Sequence, residues 1–170
     1  MTILAFLLIF LILAGIVLIY NKMIRNRNRM QEAWSIIDVF LKKRTDLIPA
    51  LVDVVKGYSE HEKTLLEEIT RFRAAGDRQE QIHSANNLTK ALGNLIVVVE
   101  NYPEIKANEH FLELQKQLSG MEGEIEKARR YYNGTVRENN IYLESFPYHI
   151  IGIFHFQKGV FFTLDGESKN

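Results

Sequence analysis

An uncharged apolar run from Ile3 to Tyr20, followed at once by Lys22, Arg25, Arg27 and Arg29, constrains this chain more than any other feature. At about 1.5 Å of helical rise per residue the run is about 27 Å long, close to the hydrocarbon thickness of a bilayer. Residues 1–21 therefore read as a transmembrane segment and residues 22–29 as a basic juxtamembrane collar. Lys and Arg close to the end of a span are retained on the cytoplasmic side. With only Met1 and Thr2 ahead of it, the span reads as a single-pass reverse signal-anchor, N-terminus outside and body cytoplasmic. A cleavable signal peptide would want a basic stretch before a shorter apolar run and a small-x-small site after it, and neither is present.

Composition supports this reading. There is no cysteine, hence no thiol to lipidate and no disulfide framework, which suits a domain in a reducing compartment. The formal charge of zero hides an asymmetry. All four collar cations precede the first acid, Glu32, so the remainder holds 17 basic against 21 acidic residues, a net of about −4. The collar of Lys22, Arg25, Arg27 and Arg29 favours anionic lipid headgroups, by about 1 kcal/mol per charge near the surface. The body lacks the basic surplus of a nucleic-acid binder, so nucleic acid is not expected as a partner.

Beyond the collar the hydrophobic period is helical. Met30, Trp34, Ile37, Leu41, Ile48, Leu51, Val55 and Tyr58 alternate steps of four and three with one gap, at Arg44, and Ala33, Phe40 and Leu47 widen the stripe. Pro49 inside this pattern predicts a kink and not a stop. Gly57 offers a C-terminal cap, and Ser59 with Glu62 a capping box for the next helix. That helix carries Leu65, Leu66, Ile69 and Phe72, weakens at Gly76, and resumes through Ile82, Leu88, Leu92, Leu95 and Val99 towards Pro103. Whether Gly76 breaks it is open at this level. A third long helix, capped by Asn108, sets Phe111, Leu118, Ile125, Tyr132, Thr135, Asn139, Leu143 and Phe146 on one face before Pro147. Long helices on short connections bury their stripes by lying antiparallel, so residues 30–147 predict an all-α, coiled-coil-like up-down bundle behind the transmembrane helix. Residues 148–170, with Ile150, Ile151, Ile153, Phe154, Phe156, Phe161 and Phe162, form an aromatic tail expected to pack on that bundle.

Two blocks carry a family resemblance. Ala33 to Leu41, Lys42-Lys43-Arg44-Thr45-Asp46-Leu47-Ile48-Pro49 and Val55-Lys56-Gly57-Tyr58 make the first. Glu100-Asn101-Tyr102-Pro103-Glu104-Ile105-Lys106-Ala107-Asn108, Glu122, Ala128-Arg129-Arg130-Tyr131-Tyr132-Asn133, Val136, Asn140, Phe146-Pro147 and Phe156 make the second. Together they resemble the LemA family. The resemblance implies a bacterial single-pass membrane protein with an outside N-terminus and a cytoplasmic antiparallel helical bundle, and it supplies no reaction. Magnetosome-membrane proteins and a source of a peptide antigen are among the relatives it implies. Lys43, Gly134 and His155 depart from the common pattern.

No catalytic arrangement emerges from the residues. His-Glu-x-x-His and glycine-rich phosphate loops are absent, and Glu80-x-x-His83 lacks the second copy that a dinuclear helical site needs. The chain is therefore expected to be non-enzymatic, without cofactor or metal. The polar residues that stand among the apolar stripes are the candidate network or interaction site: Asp38, Arg44 and Asp46 on the first helix, Arg129, Arg130, Asn133 and Asn140 on the third. Buried together they must hydrogen-bond one another, and fixing helix register is the best-attested use of such groups. Tyr131 and Tyr132, adjacent on a helix, cannot both face inward. Gly120 and Gly123 are consistent with close helix approach or local flexibility. The expected role is a membrane-anchored scaffold or interaction module that docks a protein partner or itself. The alternative is a small-ligand or envelope-stress sensor with a polar pocket in the bundle.

Overall fold

The computed structural model of the protein describes residues 1–56, 61–152 and 155–164. Among these residues the fold is all-α: α1 (Thr2–Val55), α2 (His61–Ala74), α3 (Arg78–Val99), α4 (Pro103–Lys106), α5 (Glu109–Glu144) and α6 (Tyr148–Gly152). The expected cap at Gly57 and capping box of Ser59 and Glu62, like Tyr58, Ile153 and Phe154, lie outside what is described.

Span, collar and first bundle helix are one element of 54 residues, and α1 runs on through Pro49. No helix-breaking pair stands between Tyr20 and Met30. The apolar stretch reaches a mean hydropathy of 3.2 and none of it is buried against protein, so α1 is long and apolar enough to cross a membrane.

Gly76 does break the second helix. Asp77 Oδ1 accepts from the Glu80 N–H at 2.8 Å while Glu80 Oε2 accepts from the Gly76 N–H at 2.9 Å. This reciprocal cap starts α3 and uses the carboxylate of the Glu80-x-x-His83 pair. Pro103 opens the short α4, where its missing N–H is no loss. Asn108 Oδ1 accepts from the His110 and Phe111 N–H groups and so caps α5, as its position predicts.

The chain divides into two compact units, and α1 and α5 contribute to both. Unit 1 comprises residues 1–35 and 130–161. Here α1 and α5 are antiparallel, because Lys22 meets Tyr142, Arg29 meets Glu138 and Trp34 meets Tyr132. Met23, Leu143 and Phe156 form a buried cluster with Ile19, Tyr148 and Ile151 against it. The tail follows α5 backwards, with Tyr132 Oη donating to the Val160 carbonyl at 2.8 Å and Asn139 Nδ2 to that of Gln157 at 3.2 Å. At Gly159 a Cβ would lie 2.6 Å from Met30 Sδ and 3.2 Å from the Val136 methyls, so any larger residue would make these side chains shift. Phe146 is a departure from the predicted stripe: it lies past the end of α5, in the turn before α6, and is exposed.

Unit 2 comprises residues 36–129 and 162–170. Its core joins Ile48, Leu51 and Val55 of α1, Leu65 and Ile69 of α2, Leu88, Leu92, Leu95 and Val99 of α3, and Phe111 and Leu118 of α5. Leu66, predicted on the buried face of α2, is exposed. Thr89 faces Glu122, and further along α3 Ile96 shares a recess with Gln115, so α3 and α5 are antiparallel, as an up-down bundle requires. Gly120 and Gly123 have open space where a Cβ would stand, which removes close helix approach as their reason.

Candidate functional site

The gap in the apolar stripe of α1 is filled by a buried arginine. Arg44 stands where the step from Leu41 to Ile48 needs a core residue, and its side chain passes between α3 and α5 with 2% exposed. Nη1 donates to Thr89 Oγ1 and to Glu122 Oε2, each at 2.9 Å, and Nη2 to the Ala85 carbonyl at 3.2 Å. Thr89 Oγ1 in turn donates to the same carbonyl at 3.0 Å. One guanidinium thus ties three helices together, the use that its planar fork of donors serves best.

Burial pushes the Arg44 guanidinium below its ordinary value, against the opposing pull of Glu122. An arginine remains protonated at physiological pH even so. The compensation is uneven, because half of the Glu122 side chain remains in water. At this site two buried atoms have no hydrogen-bond partner among the described residues, Arg44 Nε and Asn86 Oδ1. Both residues line a cavity of about 150 Å³ that is also bounded by Glu126, Arg129, Phe162 and Leu164. Asn86 Nδ2 donates to the Thr163 carbonyl at 2.9 Å, between Phe162 and Leu164 of the cavity wall. Its wall is polar at Arg44, Asn86, Thr89, Glu122, Glu126 and Arg129, and apolar at Leu41, Ile125, Phe162 and Leu164.

The other sequence candidates are distributed more widely. Asp38 pairs with Lys42 at 2.7 Å, one turn along α1, and Asp46 with Arg73 of α2 at 3.4 Å across exposed surface. Arg129 belongs to the cavity wall in unit 2. Arg130, Asn133 and Asn140 lie in unit 1. There Asn140 clamps Gly159, accepting from its N–H at 2.8 Å and donating to its carbonyl at 3.1 Å. Tyr131 is exposed and Tyr132 fully buried, as adjacent helical positions dictate. His83 is exposed beside Asn87. Among the described residues no group of three His, Asp or Glu is placed to hold a metal.

Sequence reasoning missed Thr89, Ala85 and Glu122 as partners of Arg44, and Asn86 as its neighbour in the cavity wall. A signal for Glu122 existed: it stands four residues after Leu118 and three before Ile125, on the same helical face as both. Thr89 next to Leu88 carries no such mark.

The profile of the LemA family matches residues 33–170. Protein LemA of Metamycoplasma hominis is 28% identical over 118 residues, which is 66% of this chain and 54% of the relative. The chain thus spans about half the length of the curated relative that it matches.

Proposed function

The chain belongs to the LemA family, and on that premise we propose that it is a membrane-anchored, non-enzymatic interaction module whose helical body docks a protein partner or a second copy. The observation that carries this reading is the course of α1. Its first turns are apolar and unburied, and the same helix then supplies Met30, Trp34, Ile37 and Leu41 to the protein interior. A surface of the body is thereby held at a bilayer, where two-dimensional confinement raises the effective concentration of any neighbour. Exposed Val39, Val97, Leu112 and Tyr131 are candidate contacts. The basic collar supports a cytoplasmic placement of the body.

Orientation is tested with single thiols, since the chain has no cysteine of its own. A Glu124→Cys variant in intact spheroplasts should resist a membrane-impermeant maleimide and react after lysis. Reaction before lysis would overturn the cytoplasmic assignment. Crosslinking in intact cells with mass spectrometry should return a recurrent partner or a self-crosslink. Only random membrane neighbours would count against docking.

A second reading, a small-ligand sensor, draws support from the unpartnered Arg44 Nε and Asn86 Oδ1 in the unit 2 cavity. A metabolite that raises the melting temperature of wild type and leaves that of Asn86→Ala unmoved would favour it.

A further inference from the structure

Unit 1 holds a second polar recess, where α1 leaves its apolar stretch. Lys22, Arg25, Asn26 and Arg29 of α1, with Glu138 and Tyr142 of α5, line a cleft of about 260 Å³. The spacing of three and four residues stacks the four α1 side chains on one face. Three cations meet one carboxylate, so the cleft carries a surplus of positive charge.

Two further observations show that the cleft is built and not a chance of surface charge. Asn26 is 5% exposed, yet neither its Nδ2 nor its Oδ1 has a hydrogen-bond partner. A buried amide left in that state is a cost that a ligand would relieve. Lys22 is positioned as well: its ammonium stands 4.9 Å from the centre of the Tyr142 ring and 5.6 Å from that of Tyr148. Arg29 Nη1 lies 3.3 Å from Glu138 Oε2, an exposed pair that an anion can share.

Depth selects the ligand. Lys22, Arg25, Asn26 and Arg29 lie about 3, 7.5, 9 and 13.5 Å of helical rise beyond Tyr20, and the headgroup layer of one leaflet is roughly 5–7.5 Å thick, so the first two stand within it and the side chain of Arg29, leaning toward the N-terminus of α1, reaches back to its edge. The turn before α6 exposes Phe146 (81%), and α6, which begins at Tyr148, exposes Ile150, apolar groups suited to the acyl boundary and not to water. We propose that the cleft of Lys22, Arg25, Asn26, Arg29, Glu138 and Tyr142 binds the phosphodiester of an anionic phospholipid at the membrane surface. Phosphate oxygens accept from Lys22, Arg25, Arg29 and Asn26 Nδ2, while Asn26 Oδ1 and Glu138 accept from headgroup hydroxyls. This rests on the membrane-anchored reading above.

The test uses the full chain, purified in neutral detergent and reconstituted into vesicles. Flotation with phosphatidylcholine vesicles first checks anchoring by itself, and a chain that stays at the bottom overturns the anchored reading. Native mass spectrometry then titrates phosphatidylglycerol against phosphatidylcholine. The expected result is one retained phosphatidylglycerol, weakened about tenfold by Arg25→Gln or Arg29→Gln and no more than about twofold by Arg27→Gln, a collar charge outside the cleft. Melting curves confirm that each variant is folded. Equal retention of the two lipids, or equal losses for all three arginine variants, overturns the site and leaves a diffuse collar. Inorganic phosphate that displaces nothing is expected. Phosphate that raises the melting temperature when the lipid does not overturns the lipid as the source.

Discussion

Arg44 Nη1 lies 2.9 Å from Glu122 Oε2, joining a buried cation to a carboxylate that is half in water. Removing the cation leaves a void between three helices, so Arg44→Ala should lower stability by about 2–4 kcal/mol, and the apolar Arg44→Met by less. Glu122→Gln keeps an acceptor and should cost only about 1 kcal/mol, because the exposed half of the pair is screened. Thermal unfolding of the detergent-solubilised full chain reads this order. An Arg44→Ala protein that melts with wild type would remove the structural role of the guanidinium.

Trp34 and Tyr132 meet edge to face, with ring centres 5.3 Å apart. Tyr132→Phe preserves that contact and loses the hydrogen bond to the Val160 carbonyl, so about 1 kcal/mol is expected. Tyr132→Ala should cost about 3–5 kcal/mol. Trp34 is the only tryptophan, so its emission reports on the site: a red shift is expected in Tyr132→Ala and little change in Tyr132→Phe.

Asn140 holds Gly159 by both its oxygen and its nitrogen. In Gly159→Ala the new methyl meets Met30 Sδ and the Val136 methyls, which should cost about 1–3 kcal/mol. Asn140→Asp keeps the acceptor and loses the donor. Both variants should accelerate amide exchange at residues 155–161 well before the rest of α5, and unchanged protection there would contradict the clamp.

Lys158 Nζ lies 2.8 Å from Glu144 Oε1 and, by hydrogen bond and charge, holds that carboxyl below the ordinary value of 4.5. A depressed carboxylate contributes stability above its unfolded value, and the contribution is lost as pH falls through the folded one. Glu144→Gln should therefore melt slightly below wild type at pH 7, and the two should converge as the pH drops under the carboxylate range. A gap that persists in acid would assign the effect to packing. Both partners are exposed, so the difference is small.

The parts of this fold that sequence conveys are those with a local physical cause. The α5 cap at Asn108, the inward Tyr132 beside the outward Tyr131, and the all-helical class follow from side-chain chemistry and from the 3.6-residue period. The Asp77 to Glu80 cap is equally local, an Asp-x-x-Glu pair directly after Gly76. What periodicity could not reveal was partnership at a distance. It marked Arg44 as a gap in a stripe, but not that Glu122, 78 residues further on, would meet it. Nor did it separate the polar candidates into Arg44 with Arg129 in one unit and Asn140 in the other, since all share helices with the same spacing.

Within unit 1 α1 passes from its apolar stretch to Ser35 without a joint. In a bilayer, packing and interfacial anchors would set the angle of such a rod, and no swivel along it would absorb a change. From Tyr20 to Ser35 the rod measures about 22 Å, so a tilt of about 10° carries its far end sideways by about 4 Å. Trp34 and the Tyr132 ring it touches lie at that far end, so a tilt of the apolar stretch would be felt at their contact.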